Sequence, residues 1–161
     1  MPGSGKSTLG KLLANEIGYP FHDLDDVIVE AEGKAIKEIF EEQGEDYFRQ
    51  TEAKHLRKVM TQNDQFILAC GGGTPCYHDN MQFIKEEGCS IYLKVSVNTL
   101  FARLDNTIGG SRPLVGKQGK ELKEFLIQQL VVRSEFYGKA DYTWEEADSL
   151  DDLVRDLGLF S

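Results

Sequence analysis

The sequence predicts an α/β protein with an open parallel sheet covered by helices on both faces, and three observations carry that prediction. The apolar segments "FILAC" from Phe66 and "CSIYLKVS" from Cys89 read as strands buried on both sides, since a strand with helices above and below it needs no polar alternate positions. Amphipathic helical patterns separate them, and such alternation is what right-handed crossovers between parallel strands produce. The opening stretch "MPGSGKSTLG" is glycine-rich and passes directly into a helical stripe, the arrangement of an anion-holding loop at a helix N-terminus.

The first helix carries Leu9, Leu12, Leu13 and Ile17 on one stripe, and Gly18 is placed to end it. "YPFHDLD" follows as a short extended segment after Pro20, with a helix expected to begin near Val27 and Asp26 expected to cap it. Helical patterns then run from Ile36 to Gln43, Asp46 to Met60, Asn80 to Glu87, Asn98 to Leu104, Leu122 to Tyr137 and Leu150 to Leu157. "DYTW" from Asp141 is a third strand candidate after the two apolar runs. In "DNTIGGSRPLVGKQGKE", from Asp105, glycines, a proline and charges interrupt two helices, which reads as a flap.

A chain of 161 residues is the length of one domain, and 40% hydrophobic with 28% charged residues is the composition of a folded one. A single domain over residues 1–161 is expected. The net charge of -9 argues against a general nucleic-acid or membrane surface, so any anion site has to be built locally from individual basic residues. Cys70, Cys76 and Cys89 form no C-x-x-C pair and no metal-ligand spacing, which suits core or near-site thiols in a reducing compartment. A cytoplasmic monomer is the expectation. The pattern G-x-x-x-x-G-K-[ST] asks for a glycine immediately before Met1, so a strand of about ten further residues ending in glycine is expected upstream. Without it, the strands around Phe66 and Ile91 are expected to lack a shared neighbour.

In "GSGKST" the glycines let backbone N–H groups turn inward around phosphates, Lys6 reaches toward the outer phosphates, and Ser7 offers a hydroxyl to magnesium. In "HDLDD", Asp23 and Asp25 stand at strand spacing near the end of a parallel strand, where ligands bind in open α/β sheets. One carboxylate suits a metal's water shell and the other an acceptor hydroxyl; helix capping is the competing role. "FRQTE" sets Arg49 and Glu52 three apart on one helix face, which taken alone reads as a solvated pair. The glycines of "ACGGGTPC", Gly71, Gly72 and Gly73, suggest a ligand lying against bare backbone, with a plain tight turn as the alternative. Arg112 in "SRPL" stands in the flap, fit to swing onto a phosphate, and Arg133 in "VVRSEFYGK" needs an anion or a route to solvent. A structural ion pair is the competing account of Arg133. His22, His55 and His78 share no spacing and receive no role.

Taken in order, "GSGKST", "DLD", "FRQTE", "GGG", "SRPL" and the R-x-x-x-Y of "RSEFY" resemble the shikimate kinase family over nearly the whole chain. The resemblance implies a P-loop kinase fold, three-layer α/β/α with a parallel sheet in the family order 2-3-1-4-5, its first strand missing from this chain. It also implies a substrate-binding helical segment over about residues 27–60 and a lid over about residues 105–120. The implied reaction is phosphorylation of the 3-hydroxyl of shikimate by magnesium ATP, on the route to chorismate and the aromatic amino acids. The implied ATP contacts are Gly3, Ser4, Gly5, Lys6, Ser7 and Thr8, with Ser7 on Mg²⁺ and Asp23 on its water shell. Asp25 is implied to bind and activate the shikimate hydroxyl. Arg49 and Arg133 clamp the substrate carboxylate in this reading, Glu52 holds Arg49, and Gly71, Gly72 and Gly73 lie along the ring. Arg103 flanks adenine, and Arg112 reaches both ATP and the acceptor. A gluconate-type or other small-molecule kinase, a nucleoside monophosphate kinase, and a catalytically inactive binding module are the alternatives kept open.

Overall fold

The structure is a computed structural model that describes residues 1–105 and 117–158. Its elements in chain order are α1 (Lys6–Ile17), β1 (Phe21–Asp23), α2 (Leu24–Glu32), α3 (Ile36–Gln62), β2 (Ile67–Ala69), a 3-10 turn (Thr74–Cys76), α4 (Asn80–Glu87), β3 (Ile91–Lys94), α5 (Val97–Asp105), α6 (Gly119–Tyr137), β4 (Tyr142–Glu145) and α7 (Leu150–Asp156). All three expected strand segments form strands, "YPFHDLD" is extended only as far as Asp23 because Leu24 and Asp25 already belong to α2, and each helical pattern forms a helix within a few residues of its expected bounds.

α1 starts at the glycine loop and stops where Gly18, at φ 73°, enters the left-handed region and returns its N–H to the Ala14 carbonyl. Its buried face, Leu13 and Ala14, turns inward, and Leu13 packs with Leu153 and Val154 of α7. α2 begins at Leu24, earlier than the expected start near Val27, because Asp23 rather than Asp26 caps it: Asp23 Oδ1 accepts from the Asp25 N–H at 3.1 Å. The capping carboxylate must stand one residue before the first helical residue, and the chain turns as soon as β1 ends. The patterns from Ile36 and from Asp46 join into α3, which bends at Gly44, where φ is 81° and ψ is 174°. That conformation costs a glycine little and explains why the stripe breaks there. Leu24 and Ile28 of α2 pack with Ile36, Ile39, Phe48 and Leu56 of α3 into one apolar cluster.

The expected sheet is present as two parallel pairs. β1 pairs with β2 in the register Phe21 to Ile67 and Asp23 to Ala69, and β3 pairs with β4 from Ile91 with Tyr142 to Lys94 with Glu145. Among the described residues β2 and β3 do not hydrogen-bond to each other. A cavity of about 470 Å³ lies between them, walled by residues such as Leu13, Leu68, Met81, Ile91, Leu93 and Leu153. In the order the resemblance implies, this is the place of the central strand. The cavity is apolar core space; among the described residues expected to do chemistry, Ser4, Lys6, Gly71 and Gly72 reach its wall.

Candidate active site

The loop before α1 takes its shape from two glycines, Gly3 at φ 72° and Gly5 at φ 88°, both in the region that side chains disfavour. Between them the buried Ser4 donates its hydroxyl to the Met1 carbonyl at 2.8 Å, and Lys6 Nζ donates to the same oxygen at 2.8 Å. The lysine is thereby folded back over the loop at the positive end of α1. Ser7 Oγ donates to Asp23 Oδ2 at 2.6 Å, joining the helix start to the end of β1. Arg103, from α5, donates to the Gly3 carbonyl at 3.0 Å, and Glu146 lies 3.9 Å from its guanidinium. This sets a cation beside the loop and brings it together with "EEADSLDD", the segment from Glu145 in which the sequence shows no motif.

Asp23 and Asp25 do not both lie on a strand. Asp23 is the last residue of β1 and Asp25 stands in the first turn of α2, so their shared neighbourhood follows from the capping turn and not from strand spacing. Asp26 is exposed.

The glycine turn is where the arginines meet. A Cβ built on Gly72 would stand 2.9 Å from Arg133 Nη1, and one built on Gly73 would stand 2.7 Å from Arg49 Nη2. None of Gly71, Gly72 and Gly73 has a positive φ among the described residues. At Gly72 and Gly73 the lack of a side chain therefore serves close approach rather than an unusual turn: two guanidiniums from α3 and α6 lie against bare backbone. Tyr137, one turn after Arg133, donates to the Gly72 carbonyl at 2.6 Å and stacks on Tyr92 at 4.9 Å between ring centroids. Burial pushes the Tyr137 hydroxyl up to about 12, against the pull of Arg133 beside it.

Arg49 is only 7% exposed and Glu52 is 0% exposed, which removes the solvated-pair reading of "FRQTE". Arg49 Nη1 donates to Glu52 Oε2 at 2.8 Å, while Nε and Nη2 donate to Glu45 Oε1 at 3.2 and 3.1 Å. Tyr77 covers the guanidinium at 4.3 Å. Burial acts against the Arg49 charge, but Glu52 and Glu45 outweigh it and hold the guanidinium above its ordinary value. Arg133, in contrast, has no carboxylate within ion-pair distance among the described residues. The structural ion pair that could have accounted for it is absent there.

At the end of β2, burial pushes the Cys70 thiol up to about 12; Glu52, Asp23 and Asp25 add to the shift, and Lys6 opposes it. Among the described residues no group of three or more His, Cys, Asp or Glu converges as a metal cage. The oxygen pair of Ser7 and Asp23 fits instead a hard cation such as magnesium, which keeps waters and takes further ligands from phosphates. Arg112 and most of the expected lid lie outside the described residues. Tyr137 enters the site as the tyrosine of the R-x-x-x-Y motif, while Glu45 and Tyr77 join it without having been singled out; for Glu45 the available signal was that it precedes Arg49 by four residues on one helix face.

The family model described as shikimate kinase matches residues 2–157. A shikimate kinase of Bacteroides thetaiotaomicron is 40% identical over 151 residues, covering 93% of this chain and 85% of its own. One of Parabacteroides distasonis is 41% identical over 143 residues, covering 89% and 82%. Among solved structures, the crystal structure of the Bacteroides thetaiotaomicron shikimate kinase superposes with a TM-score of 0.90 at 37% identity, over 97% of this chain and 93% of that one. The shikimate kinase of Acinetobacter baumannii in complex with shikimate superposes with a TM-score of 0.84 at 32% identity, over 97% and 86%.

Proposed function

The chain belongs to the shikimate kinase family, and from that premise we propose how its own residues carry the reaction. It is a kinase that uses ATP to phosphorylate the 3-hydroxyl of shikimate, giving shikimate 3-phosphate in aromatic amino acid biosynthesis. The gluconate-type alternative falls with the family assignment.

Phosphoryl transfer asks for positioning and for cations around charge that spreads over the moving group. In our reading Gly3 to Thr8 surround the ATP phosphates, with backbone N–H groups and the start of α1 supplying positive potential. Lys6 exchanges its contact with the Met1 carbonyl for the outer phosphates. Ser7 and Asp23 would hold magnesium, and the ion when bound would neutralise charge on the phosphate oxygens. Arg103 flanks the nucleotide beside Gly3. On the acceptor side, Asp25 orients the shikimate hydroxyl and takes its proton.

Arg49 and Arg133 bind the shikimate carboxylate, and Gly71, Gly72 and Gly73 leave room for the ring. The observation that carries this assignment is the convergence of the two guanidiniums on the turn at 2.7 and 2.9 Å from its missing Cβ positions. A carboxylate is a planar two-oxygen acceptor, and two guanidiniums on different helices recognise one that neither could fix alone. Arg112 is assigned to the lid, about residues 105–120, and residues 27–60 to the substrate-binding segment. We place the protein in the cytoplasm as a monomer binding neither nucleic acid nor membrane; among the described residues no helix is long and apolar enough to cross one.

The test is ADP release with shikimate, gluconate and nucleoside monophosphates offered at equal concentration, with and without magnesium. Turnover with shikimate alone, dependent on magnesium, is expected. Comparable turnover of gluconate would remove the carboxylated-ring assignment.

A further inference from the structure

Thr74 and Asn80 follow the glycine turn, and both are fully buried polar side chains. The Thr74 hydroxyl donates to Glu52 Oε1 at 2.6 Å, while the other oxygen of that carboxylate, Oε2, accepts from Arg49 at 2.8 Å. Asn80 Nδ2 in turn donates to the Thr74 carbonyl at 2.8 Å, and its Oδ1 accepts from Arg57 Nη1 at 2.7 Å. Arg57 Nη2 also donates to the His78 carbonyl at 2.7 Å, pinning the segment that leads into α4. A continuous chain of hydrogen bonds thus runs from Arg57 through Asn80, Thr74 and Glu52 to Arg49.

The chemistry of Glu52 gives this chain its meaning. A carboxylate without solvent exposure needs a donor on each oxygen, because an unsatisfied buried charge is costly. Arg49 supplies one donor and Thr74 the other, so the plane of the carboxylate is fixed and the guanidinium with it. Without the hydroxyl, Oε1 loses the hydrogen bond that Thr74 gives it, and the guanidinium already bonded to Oε2 is the cation positioned to replace it. Arg49 would then turn toward both oxygens of Glu52 and away from Gly73.

We propose that Thr74 is a positioning residue for Arg49, holding Glu52 one-sided so that the guanidinium stays aimed at the substrate carboxylate, with Asn80 and Arg57 fixing Thr74. This rests on the reading of Arg49 as a carboxylate clamp. Thr74→Val keeps the shape and removes the donor; Thr74→Ser keeps the donor. Losing a charge-assisted bond of this kind is expected to raise the shikimate KM about tenfold or more in Thr74→Val. The ATP KM should be unchanged, and Thr74→Ser should restore the normal shikimate value. If Thr74→Val does not fold, Thr74→Ala read by calorimetric titration of shikimate takes its place. An unchanged shikimate affinity in the variant lacking the hydroxyl, or an equal loss in Thr74→Ser, overturns the proposal. Arg49→Lys separates the two levels. A normal shikimate KM there overturns the clamp and this inference together, whereas a raised KM there with a normal one in Thr74→Val overturns the positioning role alone.

Discussion

The backbone of Gly73 and the guanidinium of Arg49 are so close that a Cβ on the glycine would stand 2.7 Å from Nη2 and 2.8 Å from Nη1. The obstructing atoms are the tip of a long side chain, so a methyl group there displaces the arginine rather than the fold. Gly73→Ala is accordingly expected to raise the shikimate KM severalfold while shifting the thermal midpoint little. A large loss of stability with a normal KM would show that the turn, and not the arginine, requires the glycine.

The two arginines differ in what they leave behind. Removing either costs a charge-assisted contact to the substrate carboxylate, about 1.5 to 3 kcal/mol, or an order of magnitude or more in shikimate KM. Arg49→Ala also strands Glu52, a buried carboxylate, and should destabilise the protein measurably. Arg133→Ala, with no ion pair to break among the described residues, should leave stability near normal. Thermal unfolding of the two variants beside their kinetics checks the asymmetry, and equal destabilisation would contradict it.

Asp25 carries the proposed proton transfer. Asp25→Asn keeps size and hydrogen bonding but removes the base, so turnover should fall by about 10² or more while shikimate binding stays within about tenfold. Single-turnover measurements separate the two quantities. Near-normal turnover would leave Asp25 only the orienting part of its role.

Asp141 gives a test by pH. Its carboxylate is held below the usual aspartate range, first by the Ser90 hydroxyl at 2.6 Å and the Ser90 N–H at 2.9 Å, then by Lys85. A carboxyl group depressed on folding contributes stability that is present above its unfolded value, about 3.9, and is lost as pH falls through its folded value. Asp141→Asn should therefore lower the thermal midpoint at pH 7, with the difference from the parent shrinking as pH drops below about 4. A difference independent of pH would assign the effect to packing.

The sequence by itself determined what lies within about one turn of helix or one strand. The loop from Gly3 to Thr8, the stripe of α1, the stop at Gly18 and the ordered motifs that mark the family are all local patterns, set by backbone geometry and side-chain periodicity. The apolar runs at Phe66 and Ile91 were legible as strands for the same reason. Only the tertiary structure decided which of "HDLDD" caps α2, because a cap depends on where the chain turns and Asp23 was placed at that corner by its pairing with Ala69. The meaning of the three glycines was decided there as well. Their sequence spoke for a ligand or a turn, and packing put Arg133 against Gly72 and Arg49 against Gly73 from two helices. Thr74 meets Glu52 across 22 positions and Tyr137 meets Gly72 across 65. No periodicity spans such separations, since contacts of that kind are fixed by how helices and strands pack around a shared core and not by the spacing of residues along the chain.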